Sequence, residues 1–159
     1  MAKIAKTNVA RLLDQAKIPY ELVPYEVDEN DLAAAHVADS LGEDINQVFK
    51  TLVLCSGSQH IVCVVPGNCE VDLKKAARAA NVKKVEMLPM KELLPLTGYI
   101  RGGCSPIGMK KPFPTFFHST ALNFEVIFVS AGVRGLQLRI SPQQLINYVN
   151  ASVADICKE

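Results

Sequence analysis

The sequence predicts an α+β domain with a mainly antiparallel sheet. Three observations carry this. Two β-rich runs, Val48 to Cys55 and His60 to Val65, are joined by the four residues Ser56-Gly57-Ser58-Gln59, as in a hairpin. Segments with helical spacing of apolar residues stand between strand candidates, so helices interrupt hairpin-like pairs. And 159 residues, 49% of them hydrophobic and 21% charged, suffice to fill a core without staples. No repeat, low-complexity tract or linker divides the chain, so residues 1–159 are expected to form a single domain.

From the N-terminus, Thr7 to Lys17 reads as an amphipathic helix, with Val9, Leu12, Leu13 and Ala16 on one face and Pro19 ending it. Tyr20 to Tyr25 reads as an edge strand, because Pro24 has no N–H for a ladder. Asp31 is the expected N-cap of a helix over Leu32 to Leu41, and Gly42 its stop. After the central hairpin, Asn68 to Ala80 predicts a third helix with Asp72 as N-cap. Lys83 to Met87 is a short strand candidate. Met90 to Leu96 predicts a helix stopped by Pro95 and Gly98. Thr115 to His118 and Glu125 to Ser130 read as strands about a turn at Ser119-Thr120, and Gly135 to Ile140 as another. Ser141-Pro142-Gln143-Gln144 opens the last helix as a capping box, with Leu145, Ile146 and Val149 on its buried face.

Composition narrows the classes of function. The formal net charge is +1, which speaks against a protein that coats nucleic acid through phosphates alone. Contact with nucleic acid is expected to be local, at clusters such as Lys74-Lys75-Arg78 with Lys83-Lys84, or Lys110-Lys111. No apolar run approaches the ~20 residues of a membrane helix. The basic N-terminus lacks the apolar region of a secretory signal. Five cysteines, an odd number without metal-type spacing, are expected as free thiols in a reducing cytosol.

Three stretches offer chemistry. Lys50 lies in Val48-Phe49-Lys50-Thr51-Leu52-Val53-Leu54, where alternation puts it with Val48, Leu52 and Leu54, while Phe49, Thr51 and Val53 face the other way. Both faces are apolar, and lysine is seldom buried without a partner. The cation therefore either lines a cleft, binding a substrate oxygen or phosphate, or snorkels from the strand's end. Tyr99 to Lys111 holds Gly102-Gly103, Ser105-Pro106 and Gly108 between basic residues. Successive amides in such a turn suit an anion or a carbonyl oxygen, although glycine and proline also punctuate ordinary loops. Val129 to Leu136 is another glycine-bracketed turn, carrying Ser130 and Arg134; a plain hairpin would use the same residues.

Taken in order, Phe49-Lys50-Thr51-Leu52, Gly102-Gly103-Cys104-Ser105-Pro106-Ile107-Gly108 and Ser130-Ala131-Gly132-Val133-Arg134-Gly135-Leu136 resemble the YbaK/EbsC family. These are free-standing relatives of the editing domain inserted in prolyl-tRNA synthetase. The likeness covers nearly the whole chain, from Ile18-Pro19-Tyr20 through Val82 to Met87 and Ser119 to Leu122. Ile107-Gly108 is similar to the YbaK branch, whose members deacylate Cys-tRNA(Pro); alanine-specific relatives have a different Gly/Pro loop. The resemblance implies a twisted, barrel-like mixed sheet with flanking helices, and a cytoplasmic deacylase that clears Cys-tRNA(Pro), with Cys-tRNA(Cys) a further candidate. It implies Lys50 as the catalytic residue. Tyr25, Thr51, Gly102, Gly103, Ser105, Pro106, Ser130 and Gly132 would bind substrate. The partners implied are the acceptor end of mischarged tRNA and prolyl-tRNA synthetase, with no metal, cofactor or membrane. Gln137 stands where some members carry an acidic residue, so it is given no acid–base role.

The reaction implied passes through a tetrahedral centre whose oxyanion needs donors. Gly102-Gly103 and the Ser130–Gly132 turn are the expected source, with Lys50 on the oxyanion or the terminal phosphate. His36, His60 and His118 are scattered, and no Ser/His/Asp or Cys/His set is assembled. The resemblance supplies the nucleophile from the substrate, whose thiol attacks its own ester. Two rivals stand beside this reading: Cys104 as an enzyme nucleophile, and a non-catalytic module binding tRNA or a synthetase. A deacylase for another amino acid, such as alanine, is the nearer variant.

Overall fold

The computed structural model describes residues 6–28, 30 and 32–159. Helix α1 (Asn8–Gln15) starts at Thr7, whose hydroxyl accepts the Ala10 amide. Strand β1 (Tyr20–Pro24) and helix α2 (Ala34–Leu41) follow, the latter closed by Gly42 in the left-handed region. The Asp31 cap expected for α2 lies outside the described residues. The central hairpin is β2 (Phe49–Ser56) and β3 (Gln59–Pro66), paired from Phe49↔Pro66 to Ser56↔Gln59. Then come α3 (Leu73–Ala79), β4 (Glu86–Met87), α4 (Met90–Thr97), β5 (Thr115–His118), β6 (Ile127–Ser130), β7 (Leu136–Ile140), α5 (Pro142–Tyr148) and β8 (Ser152–Ala154).

Three sequence expectations shift. Helix α3 begins at Leu73 rather than Asn68, because Asp72 accepts the Lys74 and Lys75 amides and its own N–H is committed to Ile156 O. Val71 meanwhile bridges Cys157. Helix α4 runs through Pro95 and stops at Gly98, φ +87°. Ser119–Asn123 is a turn of 3-10 helix, and so is Ile45–Gln47.

The three-stranded sheet, order β1-β7-β6, is antiparallel; the five-stranded sheet, order β4-β2-β3-β5-β8, is mixed, with β3–β5 and β5–β8 its parallel pairs. The implied barrel does not close. Strand β2 has β3 on one side and β4 on the other at Leu54 and Cys55, leaving only its first residues free. There a single parallel bridge, Val48↔Phe128, joins the two sheets.

Alternation then divides the side chains. One face of both sheets fills the main core: Phe49, Val53, Val62, Val64, Phe117, Val129 and Leu138 pack with Val9 and Leu13 of α1 and Leu145 of α5. On the opposite face of the five-stranded sheet, Leu54, Ile61 and Cys63 meet Ala76 and Ala77 of α3. On the opposite face of the three-stranded sheet, Phe128 and Val48 meet Val37 and Ala38 of α2. Each fully buried Leu, Val or Phe contributes roughly 1.5–3 kcal/mol relative to exposure.

His118, at the end of β5, accepts the Ile156 amide through Nδ1 at 3.2 Å and so ties the C-terminal segment to the sheet. Burial lowers its pKa, against the opposing pull of Asp155. The fold therefore refuses a proton that the unfolded chain accepts near pH 6.5. Stability from this group is complete above that pH and is lost as pH falls below it. We expect urea midpoints to drop over this window in the wild type and to flatten in His118→Gln.

Candidate active site

The register of the three-stranded sheet lines up Val23, Gln137 and Ser130, paired as Val23↔Gln137 and Ser130↔Gln137. Their neighbours Leu22, Leu138 and Val129 belong to the main core, so these three face the other way. The Val48↔Phe128 bridge extends the row onto β2. Two residues further along each strand stand Lys50 and Ser130, both on that outer face. Tyr25, two beyond Val23, packs among the α2 cluster and donates its amide to Gly135 O at 2.9 Å. Strand register thus gathers Tyr25, Gln137, Ser130 and Lys50 on one face.

The two glycine turns pack directly on each other at the end of these strands. A Cβ at Gly103 would stand 3.2 Å from the backbone of Val133 and Arg134. Gly102, at φ +86°, lies under the Arg134 side chain, whose Nε donates to Arg101 O at 2.8 Å. Leu32, ahead of α2, closes over Gly102, and Val27 over Gly135.

The donors differ from the expectation. The Gly103 amide is spent on Ile100 O at 2.9 Å, and the Gly132 amide on Ser130 Oγ at 3.1 Å. Among the described residues, the Gly102 and Val133 amides have no acceptor, and neither do those of Cys104 and Arg134, so both turns keep amides free for a ligand. Ser105 is fully buried and accepts the Ile107 amide, and Pro106 is buried with it; both shape the turn from below. Thr51 faces the main core side, and its hydroxyl is buried without a partner.

Lys50 is half-buried, and its ammonium leans to Gly67 O at 3.4 Å, a long contact. Among the described residues no carboxylate pairs with it, and no hydrogen bond joins it to either glycine turn. Sequence reasoning set Gln137 aside. The structure buries it to 5% exposure in the middle of the row, with its carbonyl oxygen unpartnered. An orphan acceptor buried beside a candidate site is unusual, since buried polar atoms are nearly always paired.

Cys104 fails the requirements of a nucleophile. It is 8% exposed, and burial pushes its thiol up to about 12. A reactive cysteine needs the opposite environment. Cys104→Ala is expected to change turnover of the chain's substrate by less than about twofold, against the 10²-fold or greater loss that follows removal of a true catalytic group.

The histidines do not assemble either. His60 packs edge-on to Phe113 with ring centroids 5.7 Å apart, and His118 holds Ile156. Among the described residues, no three His, Cys, Asp or Glu side chains are grouped to hold a metal ion.

A hollow of about 560 Å³ lies on the other flank of the turns, between Thr7, Asn8 and Val9 of the α1 start, Tyr99, Lys110 and Gly132-Val133. It belongs to the main-core side and does not include Lys50.

Comparison with known proteins shows what the chain as a whole is similar to. Residues 28–148 match the model of the aminoacyl-tRNA editing domain. The chain is 47% identical over 95% of its length to an Enterococcus faecalis protein, of which it covers 93%, named "Putative Cys-tRNA(Pro)/Cys-tRNA(Cys) deacylase EbsC". It is 25% identical to YwhH of Bacillus subtilis, over 84% of this chain and 86% of that one. A solved structure described as "a putative trans-editing enzyme for prolyl tRNA synthetase" has the same fold, with TM-score 0.82, 23% identity, and coverage of 98% of this chain and 100% of that one.

Proposed function

Because the chain belongs to the aminoacyl-tRNA editing domain family, we propose that it is a deacylase that clears cysteine from mischarged tRNA(Pro), with Cys-tRNA(Cys) a second substrate. It acts in the cytosol, with prolyl-tRNA synthetase presenting the tRNA. The observation that carries this reading is the 47% identity, over nearly the full length, to a protein named for that activity.

Lys50 is the catalytic group. It extends from β2 to the carbonyl oxygen or terminal phosphate of the substrate, in a row with Ser130 and Gln137. The Gly102 and Val133 amides are the donors to the oxyanion. Tyr25 and the Gly102-Gly103 and Ser130–Gly132 turns hold the aminoacyl group. The substrate's sulfur attacks its own carbonyl carbon. An S–C bond forms, the ester C–O bond breaks, and the thiol proton ends on the ribose oxygen. Cysteine leaves as a thiolactone. Intramolecular attack in the right geometry supplies ~7–11 kcal/mol of the barrier.

The test is deacylation of Cys-, Ala- and Pro-charged tRNA(Pro), with the protein alone and with the synthetase added. Cysteine should be released at catalytic enzyme concentration while alanine and proline stay bound to the tRNA. Release of alanine instead would assign the chain to another amino acid. Failure to turn over any of the three would leave a binding module.

A further inference from the structure

The hollow beside α1 has no role in cleaving the ester, yet it shares Gly132 and Val133 with the turn that carries Ser130. At about 560 Å³ it falls within the range of small-molecule sites, roughly 300–1,000 Å³. Its wall is apolar and partly aromatic. Val9, Val133 and Leu136 line it, and the Tyr99 ring stands 3.3 Å from where a Cβ on Gly132 would be. The Tyr99 hydroxyl is tied to Ile107 O, which fixes the ring.

Two cations stand at the hollow. Lys6 is neutralised by Asp14 at 2.6 Å. Lys110 lies along Gly98, and among the described residues its ammonium reaches only the Pro95 carbonyl, at 3.3 Å. No carboxylate among the described residues pairs with Lys110, Lys111, Arg101 or Arg134. Residues 98–111 and 131–135 contain those four cations and no Asp or Glu, although the whole chain is only +1. A concave apolar wall with one ammonium unpaired among the described residues, sharing Gly132 and Val133 with the turn of a site for an ester at the end of a polyanion, fits a base and its phosphate.

We propose that this hollow seats a nucleotide of the substrate's single-stranded acceptor end, next to the esterified one. Its base lies against Tyr99 and Val133, and its phosphate on Lys110. The chain of the substrate then passes over Gly132-Val133, with the ester on the Lys50 face and the preceding nucleotide on the α1 face. The proposal rests on the deacylase reading for its substrate, and its test separates the two.

Cysteinyl-adenosine and the cysteinyl ester of the trinucleotide C-C-A are compared as substrates, and uncharged C-C-A is titrated into ¹⁵N-labelled protein. The wild type should prefer the longer ester by about tenfold in kcat/KM, because only that ester brings a phosphate to Lys110. In Lys110→Ala that preference should shrink towards one, and the salt dependence for the longer ester should flatten by about 0.7 in log–log slope, the value for one phosphate on a single strand. Lys110→Arg should restore both. Amide signals of Val9, Thr97, Gly98 and Gly108, which line the hollow away from the Lys50 face, should move with C-C-A. If neither ester is cleaved while those signals still move, the deacylase reading falls and the nucleotide seat stands. Shifts confined to the Lys50 face, equal use of both esters by the wild type, or an unchanged preference in Lys110→Ala overturn the seat.

Discussion

Lys50→Ala is expected to slow release of cysteine from charged tRNA(Pro) by about 10²–10³-fold, the loss typical of removing one preorganised group on the developing oxyanion. The same change should leave stability equal or higher. Lys50 stands in a strand whose neighbours Phe49 and Val48 are 3% and 2% exposed. Its ammonium has no carboxylate partner among the described residues and only a long contact to Gly67 O. A half-buried, uncompensated charge is a cost to the fold, which an apolar side chain removes. Lys50→Met, which keeps the stem and loses the charge, should therefore raise the urea midpoint while activity falls. A structural lysine would behave the opposite way, with stability falling and turnover following it. Wild-type deacylation rates in either variant would remove Lys50 from the mechanism.

That contrast was readable in the sequence because strand alternation is local. Val48-Phe49-Lys50-Thr51-Leu52 is apolar on both sides of one lysine, and its pairing with β3 follows from a short turn. Caps are local as well, so Thr7, Asp72 and Ser141 were legible as helix starts. Long-range pairing was not. Strand β8 is three residues, two of them exposed, and exists because β5 offers it a free parallel edge. The open sheets have the same origin: β4 claims the edge of β2 that closure would need.

The site divides along the same line. The glycines that permit positive φ are visible as letters, but which amide is spent is a matter of geometry. Gly103 and Gly132 looked like donors, yet each closes its own turn. Gln137 registered in the sequence only as a departure from a family pattern. Its burial with an orphan carbonyl oxygen follows from lying between Val23 and Ser130 in the register. The Lys110 hollow draws on α1, the end of α4 and the second turn, three segments far apart in the chain.

The largest expected effect of all is on the substrate. An ester of S-methylcysteine should be cleaved at least about 10³-fold more slowly than the cysteinyl ester, since intramolecular attack accounts for ~7–11 kcal/mol of the barrier. The reason lies in what the protein withholds. The Cys104 thiol is pushed up to about 12 by burial, and so is that of Cys63. His118 is held neutral by its surroundings and occupied by the Ile156 amide, and His60 is packed on Phe113. Neither belongs to the row of Tyr25, Gln137, Ser130 and Lys50. Among the described residues of that row only the Ser130 and Tyr25 hydroxyls could attack, and Ser130 Oγ accepts the Gly132 amide; in the proposed mechanism the sulfur therefore comes from the ester, and blocking it removes the step that breaks the bond. A seryl ester should fall between the two, because its hydroxyl occupies the same place but is a weaker nucleophile. Mass spectrometry of the first product should find the thiolactone before free cysteine. Equal rates for the cysteinyl and S-methyl esters would transfer the attack to water or to the enzyme, and the Gly102 and Val133 amides would then be serving an ordinary hydrolysis.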